Sequence, residues 1–185
     1  MNKYKDLSIQ SYSENEFTLL PIRFDDRYKI MKWRNEQIFH LRQDKLLSKL
    51  DQDYYFNNTV TELFKNNNPD QLLFSFLKSN KCVGYGGLVH IDWLNKNAEI
   101  SFVMNTNDEF KYFKKYWKTF LEFLEFIAFD DLKFHKIYVY SFDLRPKLYE
   151  VLTESNYFKD AILKSHVLIN HKFIDVVIYS KIRNL

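Results

Sequence analysis

The run Lys81-Cys82-Val83-Gly84-Tyr85-Gly86-Gly87-Leu88-Val89-His90-Ile91-Asp92-Trp93 contains all three glycines of this 185-residue chain. Its Val, Leu and Ile read as a strand, and glycines inside a strand mark a bulge, a bend made for packing, or a point where another chain or a ligand nears the backbone. Elsewhere the chain must reach positive φ without glycine.

Working outward, Leu72 to Leu77 and the turn Lys78-Ser79-Asn80-Lys81 make this run the second arm of a hairpin. A further strand, Ala98 to Met104, follows Asn95-Lys96-Asn97 and completes a meander. Before the hairpin, residues up to about Glu14 have little pattern. Phe17 to Phe24 reads as a strand with Pro21 at an edge or bulge, and Asp25-Asp26 as the N-cap of a helix through Ile30, Met31, Trp33 and Arg34. Asn35 to Lys49 is left unassigned. Asp51 to Phe64 returns to helical spacing with Tyr55, Val60 and Phe64 inward, and Asn66-Asn67-Asn68-Pro69-Asp70 ends it.

After the meander, Asn105 to Phe110 reads as loop and Tyr112 to Asp131 as the longest helix, with Phe113, Trp117, Phe120, Leu121, Leu124 and Ala128 along one side. Phe134 to Tyr140 is a strand, and a helix opens at Leu144-Arg145-Pro146, where Pro suits the first turn. Asn156 is its expected left-handed cap. Ala161 to Ile169 and Phe173 to Ile182 close the chain as a hairpin about Asn170-His171. The order is β-α-α-β-β-β-α-β-α-β-β, a mixed α/β arrangement.

With 18 Phe, 13 Tyr and only 3 Pro, the composition argues for one ordered domain rather than a disordered chain. The 27 basic and 24 acidic residues are interspersed, giving +3 and no nucleic-acid arm. No stretch approaches the roughly 20 apolar residues of a membrane span, and the polar start is unlike a signal peptide. A lone cysteine, Cys82, forms no internal disulfide or thiolate metal site and fits a reducing cytoplasm. The excess of Lys over Arg and the abundant Asn point to an AT-rich bacterial coding sequence.

Read in order, Lys81-Cys82-Val83-Gly84-Tyr85-Gly86, Ala98-Glu99-Ile100-Ser101-Phe102, Phe134-His135-Lys136-Ile137, and Leu163 to His166 with Asp175 to Tyr179 resemble the GNAT superfamily of acetyl-CoA-dependent N-acetyltransferases. Residues 17 to 182 carry the resemblance. Trp33-Arg34-Asn35 and Ala98-Glu99-Ile100 are most similar to the branch holding ribosomal-protein and amino-sugar-nucleotide acetyltransferases. The resemblance implies a mostly antiparallel sheet flanked by helices, with one parallel strand pair that splays. The donor's pantetheine would lie in the splay, and its pyrophosphate at the N-terminus of the following helix.

In that family the helix opens on Gln/Arg-x-x-Gly-x-Gly/Ala, whereas this chain has Phe110-Lys111-Tyr112-Phe113-Lys114-Lys115-Tyr116-Trp117, with Phe113 and Lys115 at the glycine positions. The expected donor contacts are Phe102, Val103 and Met104, then Lys111, Tyr112, Phe113, Lys114, Lys115 and Tyr116, and Arg145. The lysines would replace the glycine cradle by charge, or else form a solvated face.

Amide formation needs an amine deprotonated and a thiolate protonated. Glu99, at the start of the splaying strand, is the first expected base and His90 the second. The family's acid position falls on Leu152, leaving Tyr149 as a substitute. Acceptor contacts are expected from Trp33, Arg34, Arg42, Gln43, Tyr85, Asp92 and Trp93, with arginine suited to phosphate or carboxylate. The resemblance thus implies acetyl-CoA as co-substrate, no metal, a small-molecule amine such as a nucleotide-linked amino sugar, and no nucleic-acid or membrane partner; it allows a homodimer. A protein N-terminus as acceptor and a non-catalytic binding module of the same fold are the alternatives.

Overall fold

The computed structural model describes residues 2–183. Its strands are β1 (Tyr12–Glu14), β2 (Phe17–Pro21), β3 (Leu72–Lys78), β4 (Lys81–Asp92), β5 (Asn97–Met104), β6 (Lys136–Phe142), β7 (Phe158–Ile169) and β8 (Lys172–Ile182). Its helices are α1 (Arg27–Glu36), α2 (Lys49–Tyr54), α3 (Thr61–Lys65), α4 (Thr106–Glu125) and α5 (Pro146–Glu154). The strands form one sheet in the order β1-β2-β3-β4-β5-β6-β8-β7, antiparallel throughout except for the parallel pair β5 and β6.

Glycine scarcity shows in the backbone. Eleven non-glycine residues among those described have positive φ, five of them Asn. Ser79 and Asn80 (φ 45° and 65°) turn β3 into β4, and Asn170 and His171 (47° and 62°) turn β7 into β8, both as hairpins of the left-handed two-residue kind. Asn156 adopts φ 61° just after α5, as expected.

The glycine cluster itself serves packing between strands. A Cβ on Gly84 would stand 2.8 Å from the Phe102 ring, and one on Gly87, whose φ is 157°, only 1.9 Å from the Leu72 carbonyl oxygen. Phe102 can therefore lie flat over β4 and stack on Phe120 of α4 at 4.0 Å. Phe76, Phe120 and Phe123 continue this aromatic core between sheet and α4.

Several expected boundaries are corrected. The patternless lead-in contains β1, and Tyr4 is buried with its hydroxyl donating to the Leu73 carbonyl at 2.8 Å. Because β1 begins at Tyr12, opposite Leu19, Pro21 has a neighbour only in β3 and needs no N–H on its open side. Asp26 does not cap α1; Arg23 holds its carboxylate through Nε at 2.7 Å and Nη2 at 2.9 Å. The second helical segment opens earlier than Asp51, on a capping box of Ser48 and Asp51, and runs into α3 through a π-helical turn, Tyr55–Val60.

The largest correction is α4, which begins at Thr106 where a loop was expected. Asn105 alone links it to β5, its side chain accepting from the Asn107 amide at 3.2 Å. The apolar periodicity starts only at Tyr112 because the preceding turn faces outward: Phe110 is 94% exposed.

Candidate active site

Three residue pairs join β5 to β6: Asn97 with Lys136, Ala98 with Ile137, and Glu99 with Tyr138. Beyond Glu99 the strands part, β5 staying with β4 to Met104 and β6 with β8 to Phe142. The split opens a cavity of about 630 Å³ walled by Ile100, Ser101 and Phe102 on one side and Val139, Tyr140, Ser141 and Phe142 on the other. One end runs beneath α1 and α2, past Arg34, Gln52 and Tyr55; the other reaches Trp117 of α4 with Arg145 and Leu148 of the α5 start.

The split also frees backbone. The Asn105 amide donates to Val83 of β4 at 2.8 Å, while the Met104 carbonyl turns the other way and accepts from Gln37 Nε2 at 2.8 Å. By the period of two, Phe102 turns its N–H and C=O to that same side, where β6 has left the ladder. An extended, amide-bearing ligand chain is what such an edge can pair with.

Glu99 lies at the vertex, 4% exposed, and Arg42 from the segment after α1 donates to its carboxylate. Burial lifts the Glu99 carboxyl above the usual carboxylate range, with Arg42 opposing. Arg42 also covers the Tyr140 ring, 4.7 Å from its centroid. A buried carboxylate raised in this way is suited to take a proton from an ammonium or from water. His90 lines the cavity at a bulge of β4, with φ 48°; burial and then Arg42 lower its affinity for a proton. Arg34 donates to the Tyr85 hydroxyl at 2.7 Å and to Gln43 at 2.9 Å, so Gln43 braces the arginine from outside the cavity.

Of the expected site residues, the cavity therefore gathers Glu99, His90, Arg34, Arg42, Tyr85, Phe102 and Arg145. Trp33 is instead buried in the core. Asp92 and Trp93 lie at the far end of the meander, where Asp92 binds Asn95 and the Trp93 indole donates to Pro69 at 2.9 Å. Val103 and Met104 are buried but do not line the cavity. Tyr149 also lies off it, its hydroxyl donating to Asp143 at 3.0 Å and its ring stacked on Tyr179.

Because α4 starts early, Lys111, Lys114 and Lys115 sit beyond its first turn. Lys114 pairs with Glu154 at 2.6 Å, Lys115 with Glu16 at 2.7 Å, and Lys111 lies over Tyr112. Tyr116 is buried against Phe17 and Phe76, Tyr112 stacks on it, and Phe113 lies beneath the Arg145 guanidinium. The true first turn of α4 carries Asp108 and Glu109. Arg145 is the cation beside it, donating to Glu109 at 2.6 Å.

Sequence reasoning missed His40, Gln37, Trp117 and Tyr140 as members of this region. His40 lines the cavity within an unassigned stretch; burial, then Arg145, pushes it down to about 3, so its imidazole is neutral. Trp117 and Tyr140 signalled only helix face and strand. Among the described residues no group of three or more His, Cys, Asp or Glu is placed to hold a metal ion, and no helix is long and apolar enough to cross a membrane.

A parallel strand pair that parts at a buried glutamate, within an otherwise antiparallel sheet, is the architecture of an acetyl-transferring fold, and the acetyltransferase (GNAT) domain family matches residues 21–178. The chain belongs to that family, whose enzymes take acetyl-CoA as the acetyl donor. No curated protein matches it in sequence. Its fold is similar to spermidine N-acetyltransferase from Vibrio cholerae in complex with CoA and spermine, at 17% identity and TM-score 0.78, covering 92% of this chain and 97% of that one. Ribosomal-protein-S5-alanine acetyltransferase from Vibrio fischeri is similar at 17% identity and TM-score 0.73, covering 94% and 97%.

Proposed function

We propose that this chain transfers acetyl from acetyl-CoA to a primary amine whose carrier is anionic, with a nucleotide-linked amino sugar as the acceptor class. The observation that supports this is the lining of the acceptor end: Arg34 and Arg42, with Tyr85 and Tyr55 as aromatic surface, against one carboxylate, Asp51, besides Glu99. A polyamine such as the spermine bound in the Vibrio cholerae enzyme would bring several positive charges to these arginines. A phosphate or carboxylate on the acceptor would instead meet a guanidinium fork.

In this reading Glu99 is the base. It takes the amine proton, directly or through water, as nitrogen bonds to the acetyl carbon and the carbon–sulfur bond breaks to release CoA thiolate. Arg42 keeps enough of Glu99 ionised to accept that proton, and the free edge of β5 aligns the thioester chain. The thiolate is protonated from solvent, since Tyr149 is turned away. A homodimer remains part of the proposal, to be read by light scattering.

The test is an acetyl-transfer assay with three acceptors: a uridine-diphosphate amino sugar, spermidine, and a peptide with an N-terminal alanine. The nucleotide sugar should give the highest kcat/KM. Preference for spermidine would overturn the anionic-carrier reading, and preference for the peptide would install the ribosomal-protein type of acceptor. Micromolar calorimetric binding of acetyl-CoA with no transfer to any primary amine would favour a non-catalytic module.

A further inference from the structure

Three arginines line the cavity: Arg34 donates to Tyr85 and Gln43, and Arg42 donates to Glu99 with a side chain 45% exposed, so water reaches its remaining N–H groups. Arg145 stands apart from them. At the N-cap of α5 its side chain is 11% exposed, and the guanidinium makes one hydrogen bond among the described residues, from Nη2 to Glu109. Five N–H donors with one single-point partner leave a buried cation under-satisfied. Burial accordingly lowers its proton affinity, with Glu109 only partly opposing. In the same cavity the buried Trp117 indole N–H has no partner among the described residues. Both features ask for an acceptor-rich, anionic group.

We propose that Glu109 and the diphosphate of acetyl-CoA are alternative partners of Arg145, so that Glu109 is a built-in competitor that sets the affinity for the donor. This rests on the reading that the chain takes acetyl-CoA. Two phosphate oxygens match the planar guanidinium better than the single carboxylate oxygen it now holds. Once displaced, Glu109 stays in the first turn of α4, where the helix dipole favours its charge and water is within reach. The exchange is feasible because the Glu109 side chain is 26% exposed. It also replaces the missing glycine cradle by a side chain from a different element, the start of α5.

The test is calorimetric titration of the full chain with acetyl-CoA and with acetyl N-acetylcysteamine, a thioester without phosphates. Glu109→Gln should tighten acetyl-CoA by roughly tenfold, the scale of relieving one charge pair at a partly buried site, and leave the short thioester unchanged. Arg145→Met should weaken acetyl-CoA, and adding Glu109→Gln to it should restore nothing. Unaltered or weaker acetyl-CoA binding by Glu109→Gln, with an unchanged melting curve, overturns the proposal, as does an equal gain in the Arg145→Met background.

Should Glu109→Gln melt early, Glu109→Asp carries the test. Its carboxylate falls one methylene short of Arg145, and a smaller gain is expected; no gain overturns the idea. If Glu109→Gln tightens a nucleotide-linked acceptor instead of acetyl-CoA, Arg145 belongs to the acceptor and the proposal fails. Failure of wild type and every variant to bind either thioester overturns the acetyl-CoA reading as well. Wild-type binding without a gain in the variants overturns this inference alone.

Discussion

Arg42 reaches from the segment after α1 to Glu99, the last residue of β5 still in register with β6, and so spans the point at which the sheet divides. The arginine opposes the burial that raises the Glu99 carboxyl, and the balance sets where this group titrates.

Activity that needs ionised Glu99 falls as pH drops through its raised pKa. Arg42→Met removes the opposing charge, so the acidic limb of kcat/KM should move to higher pH. Glu99→Gln should abolish the limb and lower turnover by roughly 10²–10⁴-fold, the span of losing a general base. A limb that stays in place in Arg42→Met would detach it from Glu99.

The lysines of α4 give a prediction of the opposite kind. Lys114 and Lys115 are committed to Glu154 and Glu16 on the surface. Replacing both with Ala should leave acetyl-CoA affinity and its salt dependence unchanged in titrations at two ionic strengths. A marked loss of affinity would return them to the donor site.

Gly84→Ala and Gly87→Ala should differ in cost. The new methyl at Gly84 meets a ring edge, Phe102, that can tilt, whereas at Gly87 it meets the carbonyl of a paired strand, Leu72. Denaturant unfolding should show a loss of about 1–3 kcal/mol for Gly84→Ala and a larger one for Gly87→Ala. Gly84→Ala should also raise KM for acetyl-CoA, because Phe102 walls the cavity.

Lys133 is exposed with φ 56°. Its left-handed backbone costs an L-residue roughly 1–2 kcal/mol, of which glycine's extra unfolded-state freedom takes back part. Lys133→Gly should therefore stabilise by about 0.5–1 kcal/mol in the same unfolding experiment, and a loss would mean that the strain is relieved locally.

The sheet from β2 onward was legible because its strands carry their own signals: the glycine cluster, the two left-handed turns and the β-branched runs each act over a few residues, whereas the three residues of β1 carry none. What was not legible depended on distance. The start of α4 showed no apolar period because Phe110 points to solvent, and that shift of one and a half turns moved every expected lysine away from the helix end. Tyr149 and Trp93 carried the right chemistry, but their orientation is set by Asp143 and Pro69, partners that spacing does not reveal. Glu99, His90 and Arg34 line the cavity as expected because the resemblance fixes their strands and helix relative to the splay, and Arg42 joins them from the segment that follows that helix. His40 lay in a segment with no period, and only its neighbours in space give it meaning.

Three residue pairs join the two parts of the sheet, and this has a mechanical consequence. The parts β1 to β5 and β6 to β8 are each stitched by long antiparallel ladders, so strain across the molecule concentrates at Asn97, Ala98 and Glu99. A thioester chain lying along the free edge of β5 would act as a rivet between two plates. Amide exchange at Tyr138 and Tyr140, which turn their N–H groups toward β5, should then slow when acetyl-CoA is added, while the β3–β4 hairpin keeps its own rate.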